Sequence, residues 1–338
     1  MASGITIKDV AKKAGVSITT VSFVLNGRKD KVSAATVERV LSIAKELGYE
    51  PDASAITLRT KKTHTIGFIL PDLENGYYAA IVKRLETALS EKSYTLLIGN
   101  SNNSMEKDLD YLREFASRHV DYVVYIPSQE SLQPENQKIL VKELENSGLN
   151  YLILDRETDT RTHWNIVNDD VYGATLAVEY LLKNGYRHIA CVTGPDNVSS
   201  SKSRLHAYRS CLAAHGIAYE SELVKEGNYD FDSGVRCVEK LLEEKREFDA
   251  IFAFNDLMAY GAYSALQNAG IQVGEQVGVV GYDDLVFSTL TTPPLTSVKP
   301  DLDELVRFTV NAMLSGGENK ERIYVKPSLS VRRSAPSK

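Results

Sequence analysis

The chain has 338 residues, of which 43% are hydrophobic and 25% charged, and its formal net charge is −6. This length exceeds what one small core needs and predicts two or three domains. The sequence contains no run of eighteen apolar residues and no apolar segment near its start, which excludes a transmembrane helix and a secretory signal.

Residues 1–62 contain only helical patterns and carry a surplus of positive charge. They hold eleven Lys and Arg against six Asp and Glu, whereas the rest of the chain holds 28 against 39. The segments KDVAKKAG, VSITTVSFVLNG and AATVERVLSIAKELGY each place apolar residues at helical spacing. Such a charge difference between segments is typical of a nucleic-acid-binding head on an acidic body.

The first two helical segments fit a helix-turn-helix, in which a turn containing glycine joins two short helices. With Gly15 in the turn, the positions expected to pack are all apolar or small: Val10, Ala11, Ala14, Val16, Val21 and Val24. Ser17 then stands at an N-cap, where its hydroxyl can accept from the backbone N–H of Thr19 or Thr20. The outward face of the second helix can meet phosphates and base edges, and it comprises Ile18, Thr19, Ser22, Phe23 and Asn26. A generic three-helix bundle is the alternative interpretation.

After a short polar linker that follows Pro51, strand-like runs alternate with amphipathic helices from Thr65 onward. The predicted strands are 65–70, 95–100, 122–127, 151–155, 188–194, 250–254 and 277–284. Short apolar runs separated by helices predict βαβ units and mostly parallel sheets. Because this stretch is long for one sheet, we expect two α/β lobes, with a ligand cleft at the carboxyl ends of the strands.

The head segments TIKDVAKKAGVSITTVSFVLNG and VSAATVERVLSIAKELGYEPDASAITLRT resemble the lactose-repressor (LacI/GalR) family of bacterial transcription regulators. The resemblance continues in order through TIGFILPDLEN, AIFAFNDLMAYGA, VVGYDD, PPLTSV and LSVRRS. It implies an N-terminal all-α helix-turn-helix head plus an α/β two-lobed core of the periplasmic-binding-protein type. The implied domains are a DNA-binding head at 1–50, a hinge helix or linker at 51–63 and an effector-binding and dimerisation core at 64–338. The implied N-lobe is about 64–161 and 291–320, and the implied C-lobe is about 162–290 and 321–338.

The resemblance implies a homodimer that binds a pseudo-palindromic operator in double-stranded DNA. The candidate DNA contacts are Thr6, Ser17, Ile18, Thr19, Thr20, Ser22, Phe23, Asn26 and a leucine wedge at Leu58. Phe23 stands where the family often has His or Arg, so the operator sequence stays open. Ile56 stands where the family often has Arg, so we expect one phosphate contact fewer. No heptad-patterned tail follows residue 338, so we expect a dimer and not a tetramer.

For the core, the resemblance implies a small-molecule effector, most often a sugar, held between the lobes. The candidate effector contacts are Tyr77, Tyr78, Asp155, Arg204, Tyr229, Asn255, Asp256 and Asp283. Arg204, Asn255 and Asp283 are the strongest candidates because polar groups facing a cleft are otherwise costly to desolvate. Asp256 equally fits an N-cap of the following helix, and Pro300 lacks the polar side chain that some relatives carry there. A purine corepressor is the alternative effector; the direction of the response stays open, with induction expected from the family.

The resemblance implies a repressor of carbohydrate-utilisation genes, and together with the sequence patterns we expect it to be cytoplasmic and membrane-independent, with no cofactor, metal or catalytic residue. A sugar-binding protein that serves a transporter is a distant alternative, since it would need a signal peptide and would lack a helix-turn-helix. An α/β enzyme is the other rival, but GxGxxG, GxxxxGK[ST] and GxSxG are absent. The histidines show no metal-ligand spacing, and Cys191, Cys211 and Cys237 form no CxxC pair, so we expect reduced thiols.

Overall fold

A computed structural model describes residues 5–25, 31–49, 62–158, 163–315 and 322–338. The chain divides into two compact units, Met1–Thr63 and His64–Lys338. The predictions for Asn26, Ile56 and Leu58 lie outside the described residues, as does most of the predicted linker.

The first unit contains three described helices, namely α1 (Ile7–Ala14), α2 (Ile18–Leu25) and α3 (Ala34–Leu47). The carboxylate of Asp9 fixes the start of α1, because it accepts from the backbone N–H of Thr6 at 2.8 Å and from the Thr6 hydroxyl at 2.7 Å. Gly15 ends α1 at a φ of 64°, a left-handed conformation that glycine adopts without strain. The predicted packing positions are buried, apart from half-buried Val16, and they share a core with Val40 and Ala44 of α3.

The first lobe of the second unit is built on a six-stranded, all-parallel sheet with the strand order β11–β5–β4–β3–β1–β2. Its strands are β1 (Thr65–Leu70), β2 (Thr95–Asn100), β3 (Tyr122–Tyr125), β4 (Tyr151–Leu154), β5 (Asn165–Asn168) and β11 (Arg322–Val325). Four helices cover its two faces: α4 (Gly76–Ser90), α5 (Met105–Ser117), α6 (Pro134–Asn146) and α11 (Leu302–Ser315). Apolar clusters on both faces form the core of this lobe.

The second lobe repeats this plan with a six-stranded sheet of order β12–β10–β9–β8–β6–β7, in which only the β10–β12 pair is antiparallel. Its strands are β6 (Ile189–Thr193), β7 (Val224–Glu226), β8 (Ala250–Ala253), β9 (Gly278–Tyr282), β10 (Thr296–Lys299) and β12 (Ser328–Ser330). Its helices are α7 (Asp170–Lys183), α8 (Ser199–Ala214), α9 (Phe231–Glu243) and α10 (Asp256–Asn268). One large apolar cluster forms the core of this lobe.

The chain crosses between the lobes three times, and each crossing lies later than predicted. Strands β5 and β11 belong to the first sheet, although the ranges that contain them, 162–290 and 321–338, were predicted to form the C-lobe. Strand β10 belongs to the second sheet, although its range, 291–320, was predicted to form part of the N-lobe. The crossings therefore follow β5, β10 and β11. The runs NIVN, TSVK and RIYV explain the difference, because each is only four residues long and has a polar residue at one end or both, which hides its strand character.

Candidate functional site

The start of α2 is capped as the sequence predicts. The backbone N–H of Thr20 donates to Oγ of Ser17 at 3.0 Å, and the two hydroxyl oxygens lie 2.9 Å apart. This cap satisfies one of the backbone N–H groups that the first turn of a helix leaves open. The cap thus sets where α2 begins and which of its side chains face outward.

The outward face of α2 carries the predicted DNA contacts. Thr19 is exposed, Ile18 is 45% exposed, and Ser22 and Phe23 are half-buried. Nζ of Lys31 lies 5.8 Å from the centroid of the Phe23 ring, within the range of a cation–π contact. The face therefore combines hydroxyl, methyl and aromatic groups with a nearby positive charge. Thr6, the remaining described candidate, is exposed at the start of α1.

A cavity of about 170 Å³ lies between the two lobes of the second unit. Its walls come from segments that follow β1, β2, β3 and β4 in the first lobe and β6, β7, β8 and β9 in the second. The lining residues are Asp72, Asn75, Tyr77, Tyr78, Asn103, Gln129, Asp155, Arg156, Val198, Ser200, Arg204, Asn228, Tyr229, Asp230, Asn255, Leu257 and Asp283. Ligands of open α/β sheets bind at such carboxyl ends of strands.

Seven of the eight predicted effector contacts line this cavity: Tyr77, Tyr78, Asp155, Arg204, Tyr229, Asn255 and Asp283. Asp256 does not line it. The sequence analysis missed several polar lining residues, of which Arg156 is the most buried, with 4% of its surface exposed. Its signal was available, since Arg156 follows Asp155 directly at the end of a predicted strand.

Tyr77 is held in place by side chains at the carboxyl ends of β4 and β5. Its hydroxyl donates to Oδ1 of Asp155 at 2.6 Å and accepts from Nδ2 of Asn168, at the end of β5, at 2.7 Å. Burial, followed by the negative charge of Asp155, raises the pKa of the Tyr77 phenol well above its usual value. The ring is therefore a fixed, neutral wall of the cavity beside one chain crossing.

Arg156 and Tyr78 form a second fixed pair on the first lobe. Nη1 of Arg156 donates to the carbonyl of Pro127 at 2.6 Å, and Nη2 donates to the Tyr78 hydroxyl at 3.2 Å. The rings of Tyr77 and Tyr78 meet edge to face, with centroids 5.3 Å apart. A guanidinium and two phenol rings therefore share one wall of the cavity.

Arg204 belongs to a buried ion pair of the second lobe. Its Nε and Nη2 lie 2.8 and 2.7 Å from Oδ1 of Asp170, and its Nη1 donates to the carbonyl of Phe254. The guanidinium lies 3.5 Å from the centroid of the Tyr282 ring. These contacts orient the side chain toward the cavity, as a planar group with five donors allows.

Asp283 lies directly after β9 with a φ of 108°, and its backbone N–H donates to the carbonyl of Val298 at 2.8 Å. Within the described part of the chain, no hydrogen bond reaches its carboxylate. Loss of hydration in the cleft raises its pKa well above the usual value; Arg204 opposes this rise, and neighbouring carboxylates add to it. Asp283 is thus an open acceptor or, when protonated, an open donor for a ligand.

Tyr229 and Asn255 form the opposite wall. Nδ2 of Asn255 donates to the carbonyl of Tyr229 at 2.9 Å, and the Tyr229 hydroxyl lies 3.2 Å from Oγ of Ser200. A Cβ at Gly194 would collide with the Tyr229 ring. Glycine at that position is therefore needed for the ring to reach the cavity wall.

Asp256 has a different role from either one predicted. The N-cap of α10 is Asn255, whose Oδ1 accepts from the backbone N–H of Met258 at 3.0 Å. The fully buried Asp256 carboxylate accepts from the hydroxyls of Ser288 at 2.5 Å and Ser297 at 2.6 Å, and from the backbone N–H of Leu285 at 2.8 Å. These three donors hold the Asp256 carboxylate away from the cavity. The carboxylate in turn fixes the loop after β9 in place.

The two lobes touch on both sides of the cavity. On one side, Nδ2 of Asn197 donates to the carbonyl of Gln129 at 2.7 Å, and the backbone N–H of Glu157 donates to Oγ of Ser199 at 3.0 Å. On the other side, Leu285 of the second lobe packs against the apolar core of the first. The two lobes therefore contact each other around the cavity.

A larger cleft of about 770 Å³ adjoins the cavity, and Tyr77, Leu257 and Asp283 line both. Pro300 lines the larger cleft and not the cavity. The missing polar side chain at Pro300 therefore leaves the cavity's own set of polar groups unchanged.

Two family models match the chain. Residues 6–52 match the family described as bacterial regulatory proteins, lacI family. Residues 178–335 match the family described as a periplasmic binding protein-like domain. The first match covers the helix-turn-helix, and the second covers most of the second lobe.

Similar proteins cover nearly the whole chain. The HTH-type transcriptional repressor PurR of Aliivibrio fischeri is 33% identical over 337 residues, which span 98% of this chain and 98% of that protein. The ribose operon repressor of Escherichia coli is 31% identical over 343 residues, spanning 98% and 99% of the two chains. The crystal structure of the lac repressor dimer bound to operator and the anti-inducer ONPF has a TM-score of 0.86 at 27% identity, covering 99% and 100%.

Proposed function

Because the chain belongs to the lacI family of bacterial regulatory proteins, we propose that it is a transcriptional repressor whose affinity for its operator depends on a small molecule bound between the two lobes. One observation carries this proposal: a capped helix-turn-helix and a polar cavity between lobes occur in the same chain. A DNA-binding protein that is not controlled by a ligand would have no need of the cavity.

The proposed division of labour follows the predicted domains. Residues 1–50 bind DNA, residues 51–63 form the hinge, and residues 64–338 bind the effector and dimerise. The described helix-turn-helix supports the first assignment, and the two lobes around one cavity support the third.

In this proposal, α2 enters the major groove and reads base edges. Ile18 and Thr19, the exposed residues at its start, face bases, because residues near the start of a recognition helix contact base edges. Phe23 meets an apolar group such as a thymine methyl, since its ring has no donor for guanine. The further proposed contacts are Thr6, Ser17, Thr20, Ser22, Asn26 and Leu58.

The repressor acts as a homodimer on a pseudo-palindromic operator, by analogy with the lac repressor dimer bound to operator. The turn after β9 offers an apolar surface for a second copy: Val286, Phe287 and Leu290 are 71%, 62% and 71% exposed. Large side chains exposed together in this way are typical of interaction surfaces. The same turn begins near Asp283, which lines the cavity.

The proposed effector is a sugar. Fifteen of the seventeen lining residues carry amide, hydroxyl, carboxylate or guanidinium groups, and three of the fifteen are tyrosines, which suits a ring with several hydroxyls. A cavity of about 170 Å³ suits a small ligand, since sites for drug-sized ligands measure about 300–1,000 Å³. A purine corepressor is the second candidate, favoured by the identity with the PurR repressor.

The effector acts by coupling two equilibria. It contacts both lobes and so favours one arrangement of them over another, which changes how well the two DNA-binding heads fit the half-sites. Couplings of this kind are about 1–3 kcal/mol, or roughly 5–150-fold in affinity. We expect an inducer, which weakens operator binding; a corepressor would strengthen it.

The proposal includes no catalysis and a cytoplasmic location, where the operator lies. Among the residues that the structure describes, no helix is long and apolar enough to cross a membrane. Turnover of a bound sugar by the purified protein would contradict the first point.

Selection of bound duplexes from a random DNA library at about 0.15 M salt tests the proposal, because binding to phosphates alone is weak there. We expect enrichment of a pseudo-palindrome. No enrichment, either alone or with a mixture of sugars and purines, would overturn the regulator function.

A further inference from the structure

A second cleft, of about 480 Å³, lies next to the cavity and is lined by residues of both lobes. We propose that this cleft binds a small organic phosphate monoester, which joins the two lobes on that side of the core. The proposal goes beyond the proposed function, because it adds a second ligand site to the one assigned to the effector. It rests on the positive charge of the cleft, on its unpartnered side chains and on its position between the lobes.

The cleft carries a surplus of positive charge, although the net charge of the whole chain is −6. Among its described lining residues, Lys225, Arg236 and Lys240 are positive and Glu226 is negative. Nζ of Lys225 pairs with the Glu244 carboxylate at 2.7 Å, so the unbalanced charge lies at the other two cations. The effector cavity has the reverse balance, with four aspartates and two arginines in its lining. The two sites therefore differ in the charge of the ligand that they favour.

Arg236 and Lys240 stand one turn apart on α9, and both are exposed. Like charges four residues apart on a helix repel each other and lower its stability. Within the described part of the chain, neither side chain forms an ion pair or a hydrogen bond. The Asp230 carboxylate, just before this helix, accepts instead from the backbone N–H of Ser233 at 2.7 Å and from Nδ2 of Asn228 at 3.1 Å. A bound anion would therefore relieve a repulsion that the free protein leaves uncompensated.

The first lobe contributes two amide side chains to the same cleft, those of Gln129 and Gln133. Both residues are half-buried, and no hydrogen bond from the described residues reaches either side-chain amide. Gln133 is the N-cap residue of α6, yet its side chain does not form the cap hydrogen bond. An amide offers two N–H donors, which suit the oxygens of a phosphate or a hydroxyl. The first lobe therefore supplies neutral donors, and the second lobe supplies positive charge.

The two lobes already touch beside this cleft. Nδ2 of Asn197 donates to the carbonyl of Gln129 at 2.7 Å, and both residues line the cleft. A ligand that contacts the amides of the first lobe and the cations of α9 favours the arrangement in which the lobes touch here. The apolar surface proposed for a second copy, Val286, Phe287 and Leu290, does not line the cleft. The dimer contact proposed above is therefore not built from residues of this site.

The spacing of the two free cations favours a phosphate monoester over other anions. The Cβ atoms of residues four apart on a helix are about 5–6 Å apart, so both cations can reach one compact group. A phosphate monoester places close to two negative charges on one such group, and the arginine fork matches two of its oxygens. A dicarboxylate divides the same charge between two separate groups. The cleft also has room for the organic part, since ligand sites measure about 300–1,000 Å³.

Calorimetric titration of the full chain at about 50 mM salt tests the site, because exposed charges are less screened there than at physiological salt. The probes are inorganic phosphate and glycerol 3-phosphate, with glycerol as the uncharged match and succinate as the dicarboxylate. We expect both phosphates to bind and glycerol not to bind. Succinate should bind about tenfold more weakly or less, which corresponds to the loss of one charge-assisted hydrogen bond.

Three variants and a matched control locate the bound phosphate. Arg236→Gln and Lys240→Gln should each weaken the binding of glycerol 3-phosphate about tenfold or more. Gln133→Ala should weaken it about threefold, through loss of a neutral hydrogen bond from the first lobe. Lys202→Gln is the control, because Lys202 is exposed on α8 and lines neither the cleft nor the cavity, and it should leave the affinity unchanged. Thermal melting by circular dichroism verifies that each variant is folded.

The proposal is overturned if neither phosphate binds, or if succinate binds as tightly as glycerol 3-phosphate. Affinities that stay unchanged in Arg236→Gln and Lys240→Gln would also overturn it, because the phosphate would then lie in the cavity or on the DNA-binding head. An unchanged affinity in Gln133→Ala would contradict the joining of the two lobes. The DNA selection tests the proposed function independently, so a chain that selects an operator but binds no phosphate loses only this second site.

Discussion

The DNA-binding head and the two-lobed core place their functional side chains in opposite ways. Thr19 and Ile18 of the head are exposed, and the core beneath them consists of small apolar residues. Arg204 and Asn255 of the core are buried, and each holds another part of the lobe in place. We therefore expect function and stability to separate in the head and to be linked in the core.

Arg204→Met should have the largest effect, because it leaves the buried Asp170 carboxylate without its partner. We expect a loss of about 3–5 kcal/mol in the free energy of unfolding, together with loss of effector binding. Urea unfolding followed by the fluorescence of Trp164, the single tryptophan, reports on the core. Thr19→Ala is the control, expected to change stability by less than about 0.5 kcal/mol. Similar stabilities for both variants would contradict the comparison.

Gly194→Ala should displace the Tyr229 ring, with which the added methyl would collide. Overpacking of this kind costs about 1–3 kcal/mol, and we expect weaker effector binding as well. The double variant Gly194→Ala with Tyr229→Ala should recover part of the stability but not the binding, because the collision is gone and the wall is lost. Additive losses in the double variant would show that the two residues do not interact.

Asp256 gives the core a pH dependence. Burial raises its pKa to about 7, although hydrogen bonds from Ser288, Ser297 and Leu285 oppose the rise. The folded state then holds a proton on Asp256 that the unfolded state releases. The contribution to the free energy of unfolding is therefore fully present below the pKa of this carboxyl in the unfolded chain, and it is lost as the pH rises through its pKa in the fold.

When the pH is lowered from 8 to 6, the free energy of unfolding of the native chain should rise by about 1.4 kcal/mol more than that of Asp256→Asn, because the asparagine side chain does not bind a proton. Urea unfolding at the two pH values measures the difference. Equal gains in the two proteins would show that Asp256 stays ionised in the fold.

Ser17→Ala should have the smallest effect on stability, about 1 kcal/mol for loss of the α2 cap. Thermal melting of the head by circular dichroism checks this value. Operator affinity should fall in both Ser17→Ala and Thr19→Ala, but only the first should lower the melting temperature. An unchanged melting temperature in Ser17→Ala would show that the cap contributes nothing to the head.

Much of the fold follows from local patterns in the sequence. The helix-turn-helix was predictable because the positions around Gly15 alternate correctly between buried and exposed, and the long strands were predictable from their apolar runs. Strand β5 was missed because its two asparagines, Asn165 and Asn168, look like loop residues although both are buried. Its place in the first sheet depends on pairing with β4 and β11, which the sequence does not display.

The cavity was predictable only in part for the same reason. Asp155, Arg204 and Asp283 follow predicted strands, and that position suggested them as contacts. Whether a polar residue faces a ligand or another protein group depends on partners distant in the chain. Asp256 illustrates this, since Ser288 and Ser297 take its carboxylate away from the cavity.

Titration of the selected operator with the full chain, in the absence and presence of the neutral sugar that binds, tests the central claim most directly. The account predicts that the sugar changes operator affinity about fivefold or more. It also predicts that Asp283→Asn keeps the sugar-free affinity and responds only at about tenfold higher sugar concentration. Operator affinity that ignores the bound sugar, or a response identical in Asp283→Asn, would contradict control of DNA binding from the cavity between the lobes.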